Sequence, residues 1–258
     1  MQRFFVVNTR LIPRLDIKGQ NLIKGVHLEG LRVVGDPRDF AKKYYAQGAD
    51  ELIYMDVVAS LYGRNSLEAL IKAVSTEVYI PMTVGGGIRS LDNVDSMLRS
   101  GADKVAINTA AVHRPELIDE ISKRFGSQCL VLSIEAKRST AGGWEAYTDN
   151  GRERTGRDVL DWAREATDRG AGEILLTSVD QEGTRKGFDL RLITEVSSSV
   201  SVPVIASGGM GAVQHAADVI TSAPVSGIAV ADMLHFDRLD LITLKKELGG
   251  MGCSVRQL

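Results

Sequence analysis

Thr83-Val84-Gly85-Gly86-Gly87 and Ile205-Ala206-Ser207-Gly208-Gly209 lie 122 residues apart and share one plan, an apolar run that ends in small residues. Moving outward, Leu15-Asp16-Ile17-Lys18 matches Ile134-Glu135-Ala136-Lys137 at an offset of 119, and Gly48-Ala49-Asp50-Glu51 matches Gly170-Ala171-Gly172-Glu173 at 122. These offsets are close to half of the 258 residues, so the chain reads as two similar halves. Around the matches, short apolar runs alternate with amphipathic stretches. Strands are predicted at 11–16, 51–56, 78–84, 104–107, 130–135, 173–177, 202–206 and 228–230. The runs show little polar alternation, as strands buried on both faces do. Helices are predicted at 37–47, 66–76, 91–100, 115–125, 155–169, 189–197, 212–221 and 239–248. Alternating strands and helices imply parallel strands with right-handed crossovers. Eight such units in a chain of this length predict an α/β fold: a single (β/α)8 TIM barrel with a two-fold half-barrel repeat, one domain over 1–258. An open doubly wound sheet is the alternative. It lacks a glycine-rich nucleotide turn at Lys18-Gly19-Gln20-Asn21 and gives no reason for the repeat.

Composition narrows the function classes. Lys+Arg number 31 and Asp+Glu 33, a net charge of −2, so nothing electrostatic points to nucleic acid or a membrane surface. Hydrophobic residues are 44%, enough for a sizeable core and against disorder. Cys129 and Cys253 form neither a disulfide framework nor a CxxC metal site. No apolar run approaches a membrane span, and the stretch 1–8 is too short for a signal peptide, so a cytoplasmic location is expected. The histidines, His27, His113, His215 and His235, share no ligand spacing, and neither a metal nor a cofactor is expected.

Glycine is in excess, 26 of 258 residues, and the excess gathers at strand ends. Gly86 and Gly87 follow strand three, and Ser207, Gly208 and Gly209 follow strand seven. Backbone amides in such loops can cradle a phosphate, and Asn108 and Thr109 add side-chain donors beside the first loop. Two symmetric sites suit a substrate with two phosphates. Asp16 and Glu135 end strands one and five and so face each other across the predicted mouth, as paired carboxylates for acid–base work do. The plainer reading pairs them with Lys18 and Lys137. At strand starts stand Arg10, Glu51, Lys104 and Glu173, which can meet as a salt-bridge ring at the opposite mouth.

These residues, with Asp50-Glu51-Leu52, Gly101-Ala102-Asp103-Lys104-Val105, Phe125-Gly126-Ser127-Gln128 and Gly172-Glu173-Ile174-Leu175-Leu176-Thr177-Ser178, run in a familiar order. The chain resembles, over nearly its whole length, the HisF family, the cyclase subunits of imidazole glycerol phosphate synthase. The resemblance implies a half-duplicated barrel whose N-terminal face docks a HisH-like glutaminase, with Asp103 at that interface. It turns the ring of Arg10, Glu51, Lys104 and Glu173 into an ammonia gate. It implies catalysis by Asp16 and Glu135, where ammonia attacks a bis-phosphorylated ribulosyl-formimino aminoimidazole carboxamide ribonucleotide. The products are imidazole glycerol phosphate and an aminoimidazole carboxamide ribonucleotide. Lys24, on the mobile loop after strand one, and Asp56, Thr177 and Glu182 are implied substrate contacts.

The working face departs from the family pattern. Glu135 and Glu182 stand where aspartate is usual, and Arg14 where a small residue or cysteine is usual. Asp232 stands where a serine is usual, beside the second phosphate position, and is expected to repel that phosphate. An intact gate beneath an altered face leads to one expectation: a HisF-like paralogue that channels ammonia to a separate sugar amidotransferase, for acetamidino modification of an O-antigen sugar in lipopolysaccharide. The alternatives are a true cyclase subunit of histidine biosynthesis and an aldose-ketose isomerase acting on a phosphoribosyl aminoimidazole.

Overall fold

Eight apolar runs close into a parallel barrel in the computed structural model, which describes residues 8–59 and 67–257. In chain order the strands are β1 (Arg10–Lys18), β2 (Asn21–Val26), β3 (Glu29–Gly35), β4 (Leu52–Asp56), β5 (Met82–Gly85), β6 (Lys104–Ile107), β7 (Leu130–Arg138), β8 (Trp144–Thr148), β9 (Glu153–Asp158), β10 (Glu173–Ser178), β11 (Val204–Ser207) and β12 (Gly227–Val230). The staves run β1-β4-β5-β6-β7-β10-β11-β12, and β12 returns to β1 with Arg10 opposite Gly227. The described helices are α1 (Pro37–Ala46), α2 (Glu68–Val74), α3 (Leu91–Arg99), α4 (Thr109–His113), α5 (Glu116–Phe125), α6 (Val159–Asp168), α7 (Leu190–Ser199), α8 (Val213–Ser222), α9 (Asp232–His235) and α10 (Leu241–Gly250).

Period two along the staves separates two cores. Leu11, Leu15, Tyr54, Leu132 and Ile134 pack outward with helix residues such as Tyr44, Ile71, Ile118 and Trp162. Ile12, Ile53, Ala106, Val131, Leu175, Ile205 and Ala229, one from each of seven staves, form a second cluster to which no helix contributes. That cluster fills the lumen, as side-chain layers fill barrels of this size.

The predicted elements are found, with shifted ends. The strand expected at 78–84 begins at Met82, because Pro81 has no N–H for the ladder; its carbonyl instead accepts from the Leu52 amide at 2.9 Å. Pro203 likewise delays β11 to Val204. The helix expected at 155–169 starts at Val159. Asp158 caps it, accepting from the Leu160 amide at 2.8 Å and the Asp161 amide at 3.1 Å, while the residues before it belong to β9. Ser66 of the expected helix 66–76 and residues 1–7 of the N-terminal stretch lie outside the described residues.

The sequence reading missed two hairpins, and the half-repeat orders them too. β1 and β7 are both nine residues long and continue beyond the barrel into antiparallel pairing, β1 with β2 and then β3, β7 with β8 and then β9. The antiparallel registers begin at Asp16 opposite Ile23 and at Glu135 opposite Tyr147. The two carboxylates therefore stand where equivalent staves leave the barrel. The hairpin tips meet across the mouth: Asn150 Nδ2 donates to the Leu28 carbonyl at 3.0 Å. Both tips hold two consecutive non-glycine residues at positive φ, His27 and Leu28, and Asp149 and Asn150, the latter pair followed by Gly151, also at positive φ. Asp and Asn suit that turn; Leu28 does not, and its burial there against the other tip holds it in place.

Candidate functional site

At the N-terminal mouth the four charged residues close into a ring. Arg10 Nη1 donates to Glu51 at 2.6 Å and Arg10 Nη2 donates to Glu173. Lys104 Nζ donates to Glu173 at 2.7 Å and reaches both oxygens of Glu51 at 3.3 Å. Charges alternate around the ring, so each carboxylate touches two cations. Glu51 and Glu173 are buried, whereas Arg10 and Lys104 keep some contact with solvent. The Arg10 guanidinium is shifted upward: burial works against it, but Glu173 and then Glu51 outweigh that. Asp103 is exposed on the same side and accepts from the Met82 amide at 2.8 Å, which ties it to the start of β5.

At the C-terminal mouth two pockets flank the end of β1. The first is lined by Gly86, Gly87, Asn108, Thr109, Asp56, Arg89 and Glu135 among others. The second is lined by Ser207, Gly208, Gly209, Glu182 and Asp232 among others. The structure thus gathers the expected phosphate-binding residues into two groups, one per half. Glycine is required by the close approach of chains: a Cβ on Gly86 would come 2.3 Å from the Asp56 carbonyl oxygen, and one on Gly209 would come 2.0 Å from that of Gly187. The side-chain donors beside the first pocket are engaged within the protein. Asn108 Nδ2 donates to the Tyr147 carbonyl at 3.0 Å, and the Thr109 hydroxyl lies 3.4 Å from Asp149.

The carboxylates occupy unlike surroundings. Asp16 accepts from Arg14 Nε at 2.8 Å, so its ion pair is with Arg14 rather than Lys18. Lys137 stacks instead on the Tyr147 ring, 4.8 Å from its centroid. Arg14 is buried and kept charged: burial opposes the cation, but Asp16 foremost, then Glu182 and Glu135, raise it. Glu135 is buried at the wall of the first pocket and accepts from the Gly151 amide at 2.7 Å. Burial lifts its carboxyl to about 7, against the pull of that amide and of Arg14. An acid near 7 is suited to exchanging a proton at neutral pH, while its ion-paired neighbour supplies charge. Lys24, on β2, forms a buried ion pair with Glu182, and Asp56 accepts from the Val58 amide at 3.1 Å. The Thr177 hydroxyl accepts from Arg14 Nη1 at 2.9 Å.

Asp232, expected to repel the second phosphate, lines the second pocket with its Oδ1 buried and without a hydrogen bond. Two half-exposed guanidiniums stand near that oxygen, with Arg238 Nε at 3.4 Å and Arg185 Nε at 3.7 Å. Sequence reading missed Arg185 and Arg238, which carry no spacing signal. It also missed Asp149, Asn150 and Gly151 over the first pocket, for which a signal existed: Asn-Gly between two strand-like runs marks a hairpin turn. No group of acidic, histidine or cysteine residues suited to a metal ion occurs among the described residues. His235 is buried against the Tyr44 hydroxyl at 2.6 Å, and burial lowers it to about 3, so it is neutral core. No helix among the described residues is long and apolar enough to cross a membrane.

A half-duplicated barrel with a glycine-lined pocket in each half, two dissimilar carboxylates between them and a charged ring at the far mouth is the arrangement of a (β/α)8 enzyme. The family model described as histidine biosynthesis protein matches residues 10–240. Named relatives agree. The imidazole glycerol phosphate synthase subunit HisF of Legionella pneumophila is 71% identical over 204 residues, 79% of this chain and 96% of that one. The HisF subunit of Synechococcus sp. (strain CC9311) is 47% identical across 98% of both chains. That of Streptococcus sanguinis (strain SK36) is 43% identical over 97% of this chain and 100% of its own. The chain belongs to the histidine biosynthesis protein family, among its HisF subunits. Nothing in these relatives' names speaks for the O-antigen role that the altered face suggested.

Proposed function

We propose that this chain is the cyclase subunit of an imidazole glycerol phosphate synthase, working in the cytoplasm with a HisH-like glutaminase seated on the N-terminal face. In this reading ammonia enters through the ring of Arg10, Glu51, Lys104 and Glu173 and passes the apolar lumen. It meets a substrate whose two phosphates lie at Gly86 and Gly87 with Asn108 and Thr109, and at Ser207, Gly208 and Gly209. Glu135 exchanges the proton and Asp16 stands in its ion pair with Arg14. The observation that carries the proposal is the unlike pair of carboxylates between two glycine-lined pockets, with Glu135 held near 7. The relatives' shared name supports the substrate. Steady-state assay with the bis-phosphorylated ribulosyl precursor and an ammonium salt tests it. Turnover of about 1 s⁻¹ or more is expected, within the range of ordinary enzymes. Turnover no faster than in buffer overturns it.

A second reading, ammonia delivery to another acceptor such as a sugar acetamido group through a separate amidotransferase, is favoured by one observation. Arg14 occupies the lumen end beside Asp16, where the family pattern has a small residue. It expects no cyclisation by a chain that still stimulates its glutaminase, and growth of a histidine auxotroph carrying this chain would exclude it.

A further inference from the structure

Among the described residues Arg14 is the one fully buried arginine, and it lines both pockets. Its donors are distributed unevenly. Nε donates to Asp16 at 2.8 Å; Nη1 donates to the Thr177 hydroxyl at 2.9 Å and reaches the Ser207 hydroxyl at 3.4 Å. Nη2 makes no hydrogen bond to a described residue, which leaves two N–H groups of a five-donor fork unused. A guanidinium used only to hold Asp16 needs one edge. Here a second edge is fixed by hydroxyls from β10 and β11, so the plane of the fork is set by three staves.

A ligand with a phosphate in each pocket has to pass over this guanidinium, because Arg14 is the wall residue that the two pockets share. In the ribulosyl precursor the ketose carbonyl lies between the two phosphates, on the stretch that joins the pockets. The geometry points to Arg14 as the group that binds this carbonyl oxygen through Nη2, and so selects the ketose over ligands that lack it. The assignment rests on the two-phosphate substrate proposed above, though not on its turnover. A fixed cationic fork in a water-poor site is a strong donor to a carbonyl oxygen, and lysine cannot reproduce its planar geometry.

The test is calorimetric binding without any ammonia source. The ligands are the bis-phosphorylated ribulosyl precursor and a matched analogue with a methylene in place of the ketose carbonyl. Arg14→Met is expected to weaken the precursor roughly 10-fold or more, as for loss of a hydrogen bond to a charged donor, and to weaken the analogue much less. Arg14→Lys, which keeps the buried charge opposite Asp16 and serves if the Met variant fails to fold, is expected to show the same selective loss to a smaller degree. Equal weakening of both ligands, or no weakening, overturns the assignment and leaves the cyclase reading standing. A parent protein that binds neither ligand overturns both. Tight binding with the selective loss but no turnover upholds Arg14 and overturns the cyclase reading alone.

Discussion

Glu135 carries its environment as a measurable pH dependence. Its carboxyl is raised from 4.5 to about 7 mainly because burial disfavours the anion. In the unfolded chain the group ionises near 4.5, so between that pH and 7 the folded state holds the proton more tightly. Folding stability attributable to Glu135 is therefore complete below pH 4.5 and is lost as pH rises towards 7. A shift of this size corresponds to about 3 kcal/mol. Glu135→Gln, neutral at every pH and still able to accept from the Gly151 amide, should remove that slope. Denaturant melts of parent and variant from about pH 4 to about pH 8 read it directly. The parent should lose ground to the variant as pH rises, and parallel curves would show that folding leaves the Glu135 carboxyl unshifted. Arg14 and Asp16 on β1, Asp149 over the pocket and the Gly151 amide are the groups that face it, and they set where the titration centres.

At the scale of elements, the staves and most helices were legible because each buries a period that the sequence displays. The hairpins were not, since β3 and β9 are mixed in polarity and largely exposed. What fixes them is tertiary: the ion pair of Lys24 with Glu182, the His27 amide donating to the Glu182 carbonyl at 2.8 Å, and Asn150 on Leu28. Motifs announced the glycine loops and carboxylates. The partners that tune them, Arg14 for Asp16 and Gly151 for Glu135, come from side-chain direction and from a hairpin that periodicity does not reveal. If the buried Lys24–Glu182 pair clasps the first hairpin over the mouth, Lys24→Met should loosen that element alone. Removing one partner of a buried pair costs about 3 kcal/mol, so amides of β2 and β3 should exchange with solvent on the order of 100-fold faster. Hydrogen exchange in the staves should be unchanged. Uniform acceleration across the barrel would mean that the pair supports the whole fold instead.

For the whole molecule, the half-repeat places like chemistry at one mouth and divides labour between the two. The pockets and hairpins recur in each half. The ring at the far mouth does not: Arg10, Glu51 and Lys104 come from the first half and Glu173 from the second. A ring that only tied the halves together and a ring that admits ammonia would respond differently to being opened. Lys104→Met removes one of two cations and leaves Glu51 and Glu173 to share Arg10. Lys104 is partly exposed, so the stability cost is smaller than for a fully buried pair, on the order of 1–2 kcal/mol. If the ring is the gate proposed above, the variant paired with its glutaminase should release more glutamate per product formed, since ammonia escapes at the junction. Turnover supported by saturating ammonium salt should fall by no more than about 3-fold, because the distant carboxylates and pockets are untouched and sites this far apart act additively. A matched fall in both activities, with the ratio of glutamate to product unchanged, would instead make the ring a structural tie between the halves.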